Sequence, residues 1–393
     1  MTPFTDIVIH PLASSNQEEH YLLSYRNQYY EATFPVVELL WELQQKPTRE
    51  EAVSAYMNKK GGKYTAEQVG QIIEKYIMPL FFTQTRKRTF LYEKELLTAS
   101  DVDAFSDRLR FMFNKYCMTA TFALALILNS YFFITADSLL EFSNGVNVYT
   151  VMGLVAFTII SSFIHELGHA SACKHFGLKH GGIGFGLYLN FPVLYTDVTE
   201  IWKLNRKKRC IVNIAGVYFQ LFCLIGLLCF FFFAGYDILR YMILMMDLGL
   251  LMTLNPFFKF DGYWIVSDVL GVPNLRNRSK ELFRYFHCRI CRRPAAFTPY
   301  LFQIRRKEKY GLLIYALVVN LFMGYYFCYV IPLFLYQFLM SFPEELQELI
   351  LYLSNNMTPP FALLRNIVMQ LLFLSLIVLM IVNLIRSLKR HVR

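Results

Sequence analysis

"VYTVMGLVAFTIISSFIHELGHASACKHF", residues 148–176, runs apolar from Val148 to Ile164, broken by little but Ser and Thr, and then presents His165-Glu166-x-x-His169. The run is long enough for a membrane-crossing helix, which needs roughly 20 apolar residues. At a rise of roughly 1.5 Å per residue, two histidines four apart lie on one helix face about a turn apart. They can share a zinc ion while the Glu between them handles a water. The stretch therefore predicts a hydrolytic metal at membrane depth.

The rest of the chain agrees with a membrane setting. Its 393 residues are 55% hydrophobic and 17% charged, and the apolar positions gather into long blocks. Six stretches qualify as spans: 117–136, 147–169, 210–234, 238–258, 311–337 and 361–385. The connections 137–146 and 338–360 carry no Lys or Arg, whereas 172–209, 259–310 and the tail RSLKRHVR carry many. By the positive-inside rule both termini face the cytoplasm, and His165 lies in the cytoplasmic half of its span. The net charge of +10 belongs mostly to these flanking segments, a pattern of topology rather than of nucleic-acid binding. The eight cysteines do not form a disulfide framework, because they lie in spans or face the reducing side. Cys288-x-x-Cys291, preceded by His287, reads either as solvated thiols or as half of a second metal site.

Residues 1–95 are different in kind, mixing charged and apolar residues as a small soluble domain does. Residues 20–33 read as two strands around Asn27-Gln28, followed by a helix from Pro35 with Val36, Leu39, Leu40 and Leu43 on one face. Thr48-x-x-Glu51 and Thr65-x-x-Gln68 are capping boxes that open two more helices. This order suggests a winged-helix-like fold. Residues 1–100 hold 11 Lys and Arg against 12 Asp and Glu, a balance of −1 that offers phosphate no footprint, so DNA is disfavoured. The pattern "PVVELLWELQQKPTREEAVSAY…TAEQVGQIIEKYIMPL" resembles leader-recognition domains of ribosomally made, modified peptides, of the pyrroloquinoline-quinone peptide chaperone type. The expected domains are 1–95 for peptide recognition, a linker at 96–116, and an intramembrane metalloprotease at 117–393. The expected fold is mainly α, a polytopic membrane protein with about six transmembrane helices and a small α+β cytoplasmic head.

A second stretch, "LNPFFKFDGYW" (254–264), supplies Asn255-Pro256 and Asp261-Gly262. Together with His-Glu-x-x-His it resembles the site-2 protease family of intramembrane zinc metalloproteases. "GFGLYLNFPVLYTDVTEIW" and "FDGYWIVSDVLGVPNL" resemble its bacterial peptide zinc metalloprotease branch. The resemblance implies His165, His169 and Asp261 as ligands of one zinc ion, with Glu166 as the acid and base. Two imidazoles and a carboxylate leave one position of a tetrahedral zinc open. Where the wider family has Ala-Gly-Pro and a following Asn, this chain has Ala215-Gly216-Val217 and Gln220, so Gln220 and Asn255 stand as substrate-contact candidates. Asp197 is a rival third ligand or a neighbour of the ligands. Asp247 either orients a zinc histidine or pairs with a polar group across the bundle.

Gly182, Gly184 and Gly186 alternate with Ile183, Phe185, Leu187 and Leu189 at strand period. The glycine face fits a hairpin that holds an extended substrate over zinc, with Gly184 and Gly186 as contacts, or a re-entrant loop packed on the spans. The function expected is a zinc endopeptidase of the bacterial cytoplasmic membrane. It binds a precursor peptide by its leader and cuts it near the cytoplasmic face, in the company of the lipid bilayer and of an exporter or modifying enzyme. The alternatives are an intramembrane protease that releases a membrane-bound regulator and a non-catalytic peptide-docking or export subunit.

Overall fold

The computed structural model describes residues 3–16, 19–26, 28–82, 92–136, 148–188, 191–292, 294 and 297–391. The protein is mostly helical and divides into two compact units. One is Met1–Arg88, Glu95–Gly184 and Leu194–Leu312; the other is Thr89–Lys94, Phe185–Val193 and Leu313–Arg393.

The first unit opens with a three-stranded antiparallel sheet, β1 (Val8–Leu12), β2 (His20–Tyr25) and β3 (Gln28–Thr33), in that spatial order. Tyr25 pairs with Gln28, and Asn27, the other residue of the expected turn, lies outside the described residues. β1 was not expected, because "VIHPL" carries a proline; it lies at the sheet edge, where proline is tolerated. Helices α1 (Phe34–Gln45), α2 (Arg49–Lys59), α3 (Ala66–Ile72) and the short α4 (Pro79–Phe82) follow. Val36, Leu39, Leu40 and Leu43 are buried, and both capping threonines accept the expected backbone N–H. These elements form a small sheet-and-helix region whose core is apolar from Phe4 to Leu80.

Next come β4 (Glu93–Leu97), α5 (Ala99–Leu109), α6 (Lys115–Thr135) and α7 (Val148–His175). Of the two readings left open by the glycine alternation, a hairpin or a re-entrant loop, the chain forms two strands, β5 (Ile183–Tyr188) and β6 (Phe191–Thr196), and β4 joins them in the order β4–β5–β6. β4 was missed because "EKELL" has no strand-type alternation. Gly182 admits the β4 backbone: a Cβ there would overlap the carbonyl of Leu97. The unit closes with α8 (Arg206–Ala234), α9 (Asp237–Thr253), α10 (Asp261–Leu270) and α11 (Leu275–Ile290), then enters α12 (Arg306–Tyr325). The second unit holds the rest of α12, α13 (Ile331–Ser354) and α14 (Phe361–His391); Phe334 and Phe373 meet edge to face at 4.3 Å between the last two.

Five segments among the described residues are long and apolar enough to cross a membrane: Lys115–Thr135, Tyr149–His175, Arg206–Ala234, Arg306–Ser354 and Phe361–Val382. The expectation of about six is met to this extent, the sixth stretch lying in a shorter helix. The stretch 238–258 yields only the 17 residues of α9, about 26 Å of helix against roughly 30 Å of hydrocarbon, because the helix stops ahead of Asn255-Pro256. The expected connection 338–360 is also largely helix, since Arg306–Ser354 continues for 49 residues through a π-turn at Tyr326–Val330 and through Pro343. The expected connection 137–146 lies outside the described residues.

Candidate metal centre

Two helices with small residues at their contact set up the site. Gly168 on α7 faces Ala215 on α8, and a Cβ on Gly168 would overlap the Ala215 carbonyl. One turn away, a Cβ on Gly216 would run into the imidazole of His165. Small residues let helix backbones approach closely where apolar surroundings give helices little other reason to pair. A third glycine acts similarly: Gly262, second in α10, sits against the carbonyl of Leu254 at the end of α9. Asn255 shapes that bend by accepting the N–H of Phe257 at 2.8 Å. Asp261 is thereby the first residue of α10 and points at α7.

His165, His169 and Asp261 come together. The two Nε2 atoms are 3.1 Å apart, and Asp261 Oδ2 stands 3.0 Å from His165 Nε2 and 3.2 Å from His169 Nε2. Donors roughly 2.0–2.1 Å from a tetrahedral zinc lie about 3.3 Å from one another, so this triangle fits one ion. The far ring nitrogens fix the tautomers. His169 Nδ1 donates to the Val212 carbonyl at 2.8 Å. His165 Nδ1 meets Gln220 Oε1 at 3.1 Å, and Gln220 Nε2 donates to Ser161 Oγ at 2.9 Å. Both Nε2 lone pairs are thus left facing Asp261, as metal-binding imidazoles need. Glu166 is buried beside the trio, and its carbonyl accepts from Thr196 Oγ1, at the end of β6, at 3.4 Å.

The other candidates fall elsewhere. Asp197 accepts the N–H of Thr199 at 3.1 Å and also its hydroxyl, opening the turn Thr199–Lys203. Asp247 accepts from Asn129 Nδ2 on α6 at 3.0 Å, across the bundle. Gln220 is engaged at both ends of its amide by His165 and Ser161. Gly184 packs on the Tyr195 ring and Gly186 lies in β5. His287 Nε2 and Cys291 Sγ are 3.8 Å apart, and among the described residues the trio is the one metal-type cluster.

Sequence reasoning missed the polar lock behind the site. Arg209 Nε and Asn213 Nδ2, both on α8, donate to the buried carboxylate of Asp268 on α10 at 2.6 and 2.8 Å. Arg209 also reaches the Ala13 carbonyl beyond β1 at 3.2 Å, and the Ser15 N–H and hydroxyl each reach the Gly271 carbonyl at 2.9 Å. Arg209 ends the basic run Arg206-Lys207-Lys208-Arg209 that opens α8, which reads as charge flanking a span, and its partner lies 59 residues away.

No family model and no solved structure matches the chain. A Bacillus subtilis (strain 168) protein named "Putative peptide zinc metalloprotease protein YydH" is 30% identical over 122 residues, 30% of this chain and 48% of that protein. The chain thus spans about half the length of the curated relative it matches. The likeness is to a protein named as a zinc metalloprotease, and the donor set agrees with that metal.

Proposed function

We propose that the chain is a zinc endopeptidase of the bacterial cytoplasmic membrane, of the site-2 protease type, that binds a ribosomally made precursor peptide and cleaves it near the cytoplasmic face, both termini being cytoplasmic. The observation that carries the reading is the Nε2–Nε2–Oδ2 triangle with Glu166 next to it in sequence, at the end of a helix long and apolar enough to cross a membrane.

His165, His169 and Asp261 would hold the zinc, which supplies Lewis acidity toward a peptide carbonyl and a water. Glu166 takes a proton from that water and returns it to the leaving amine. Gln220 and the Val212 carbonyl hold the imidazoles in register throughout. β6, at the edge of its sheet, pairs with an extended substrate, and Thr196 ties the end of that strand to the Glu166 backbone. The head supplies selectivity. β3 is likewise an edge strand, and the leader of the precursor adds to it, raising local concentration near the metal. An exporter or modifying enzyme handles the peptide before or after the cut.

Glu166→Gln tests the chemistry: purified protein should keep its zinc while precursor cleavage falls by about 10²–10⁴-fold. Cleavage near the parent rate would remove the assignment. Deleting the head is a poor test of recognition, because Ala13 and Ser15 would go with it and leave Arg209 and Gly271 without those partners. Isolated leader added in excess is cleaner. It should inhibit cleavage of full precursor but not of a short peptide that lacks a leader; equal inhibition of both would place leader binding at the metal instead.

A further inference from the structure

α11, "LRNRSKELFRYFHCRI", is too polar to be a span, yet it carries one apolar stripe: Leu275, Ser279, Leu282, Phe286 and Ile290, at spacings of three and four. The first half of the stripe is covered, with Leu275, Ser279 and Leu282 at 0%, 2% and 2% exposure. The second half is not: beside Phe283 at 61%, Phe286 is 48% and Ile290 81% exposed. The same face leaves the protein halfway along the helix.

The flanks are basic. Residues 275–292 hold six Lys and Arg against one Glu, and that Glu281 is engaged by Arg278 at 2.8 Å. Lys280 and His287 flank the stripe on one side and Arg289 on the other, all exposed, with Arg284 on the far face and Arg292 just beyond the helix.

The position of the helix is fixed by two candidate spans. Arg206 opens α8, and its guanidinium lies 3.8 Å from Glu308 in the first turn of α12. The basic beginnings of two spans therefore lie side by side. Gly271 packs against the same guanidinium, and α11 starts four residues later. Along α11, Arg278 stacks over Tyr300 at 4.3 Å and Tyr285 meets Phe302 at 5.8 Å, both in the turn that leads into α12. Phe302 itself is 52% exposed.

We propose that the second half of α11 is an in-plane anchor on the anionic lipids of the leaflet where α8 and α12 begin. Phe283, Phe286, Ile290 and Phe302 enter the boundary between headgroups and acyl chains. Lys280, Arg289 and Arg292 lie among the lipid phosphates. An apolar half-stripe with basic margins, held at the ends of spans, matches that surface in both polarity and charge. It also gives α10, which begins with Asp261 and ends five residues before α11, a fixed depth relative to the leaflet.

The test uses the full chain in nanodiscs, with Phe286→Trp as the reporter and the parent protein's fluorescence subtracted. In discs containing phosphatidylglycerol the added tryptophan should emit to the blue of its value in water and lose most of its intensity when the acyl chains are brominated. Pure phosphatidylcholine discs in high salt, or the double change Lys280→Glu with Arg289→Glu, should reverse much of that quenching. Ile290→Trp, at the most exposed position of the stripe, serves if Phe286→Trp does not fold. Emission as in water with no quenching in either disc would overturn the proposal. So would quenching indifferent to the charge changes, which would show apolar insertion without recognition of anionic lipid. A blue shift that appears only when peptide is added would assign the face to a peptide and also overturn it.

Discussion

The head and the metal region belong to one compact unit, and the metal region adds close glycine contacts and buried polar bonds to the apolar packing that the two share. In the head, Val37, Leu39, Leu40, Ala52, Tyr56, Val69, Ile73 and Ile77 are completely buried, and the core is apolar bulk. Around the metal site an apolar cluster that includes Phe113, Val212, Tyr218 and Phe219 is joined by close contacts of Gly168 on Ala215, Gly216 on His165 and Gly262 on Leu254, and by a chain of hydrogen bonds through Ser161, Gln220, Val212, Asn213, Arg209 and Asp268. The reason is the solvent each was built for. Water rewards apolar burial at roughly 25 cal/mol per Å², whereas lipid offers helices no such reward and leaves close approach and polar bonds to hold them. The head should therefore suffer from lost volume, and the metal region from added volume or a lost polar partner.

The largest effect is expected at Asp268. Asp268→Ala leaves Arg209 and Asn213 buried without their carboxylate, a loss of about 3–5 kcal/mol of stability. Thermal unfolding in detergent should show it, with zinc content falling alongside because α10 carries Asp261. Leu40→Ala should cost about 2–5 kcal/mol through the cavity it leaves, yet leave zinc affinity unchanged. If both variants lost zinc equally, the contrast between the regions would be void. Gly216→Ala adds one carbon against the His165 ring and should cost about 1–3 kcal/mol by overpacking, with zinc affinity down about tenfold or more in a chelator titration. A neutral outcome there would mean that α7 and α8 can slide apart at no cost.

The smallest effect is a matter of pH. Glu38 is buried in the head beneath Lys59 at 3.5 Å and Lys60. Burial opposes its ionisation, but the two ammonium groups outweigh it and hold the carboxyl below its usual value of 4.5. A carboxylate depressed on folding adds stability that is full above the unfolded value and is lost as pH falls through the folded one. Head stability should therefore drop on acidification below 4.5, and Glu38→Gln should flatten that part of the curve. Hydrogen exchange over residues 34–59 measures it. An unchanged acid limb in the variant would assign the loss to other carboxylates.

The same contrast explains what could be read before the structure. The apolar face of α1 and the two capping threonines are local patterns, so their positions in the sequence were enough. His165 and His169 are local too, one turn apart on α7. Asp261 is 92 residues from His169, and it was reached through resemblance rather than through spacing. The glycine contacts gave less warning, since Gly168 and Gly216 look alike whether they face lipid or another backbone. Strand β4 and the Arg209–Asp268 lock depend on partners 59 or more residues away in sequence, and nothing in either segment names its partner. The stretch 238–258 reads as one span by hydropathy, but its helix ends at Thr253, ahead of Asn255-Pro256, where the apolar run continues and the helix cannot.

The bond from Ser15 to Gly271 also sets a timetable. Its ends are 256 residues apart, so at roughly 5–20 residues per second Gly271 leaves the ribosome about 13–50 s after Ser15. The contacts within the head, from Phe4 to Leu80, are all synthesised early in that interval. Ala13 and Ser15 must then wait, first for Arg209 and last for Gly271, while α6, α7 and α8 are inserted. Fastening the head to the helix that begins with Asp261 is therefore among the late events of biogenesis, after most of the membrane helices of this unit have been made.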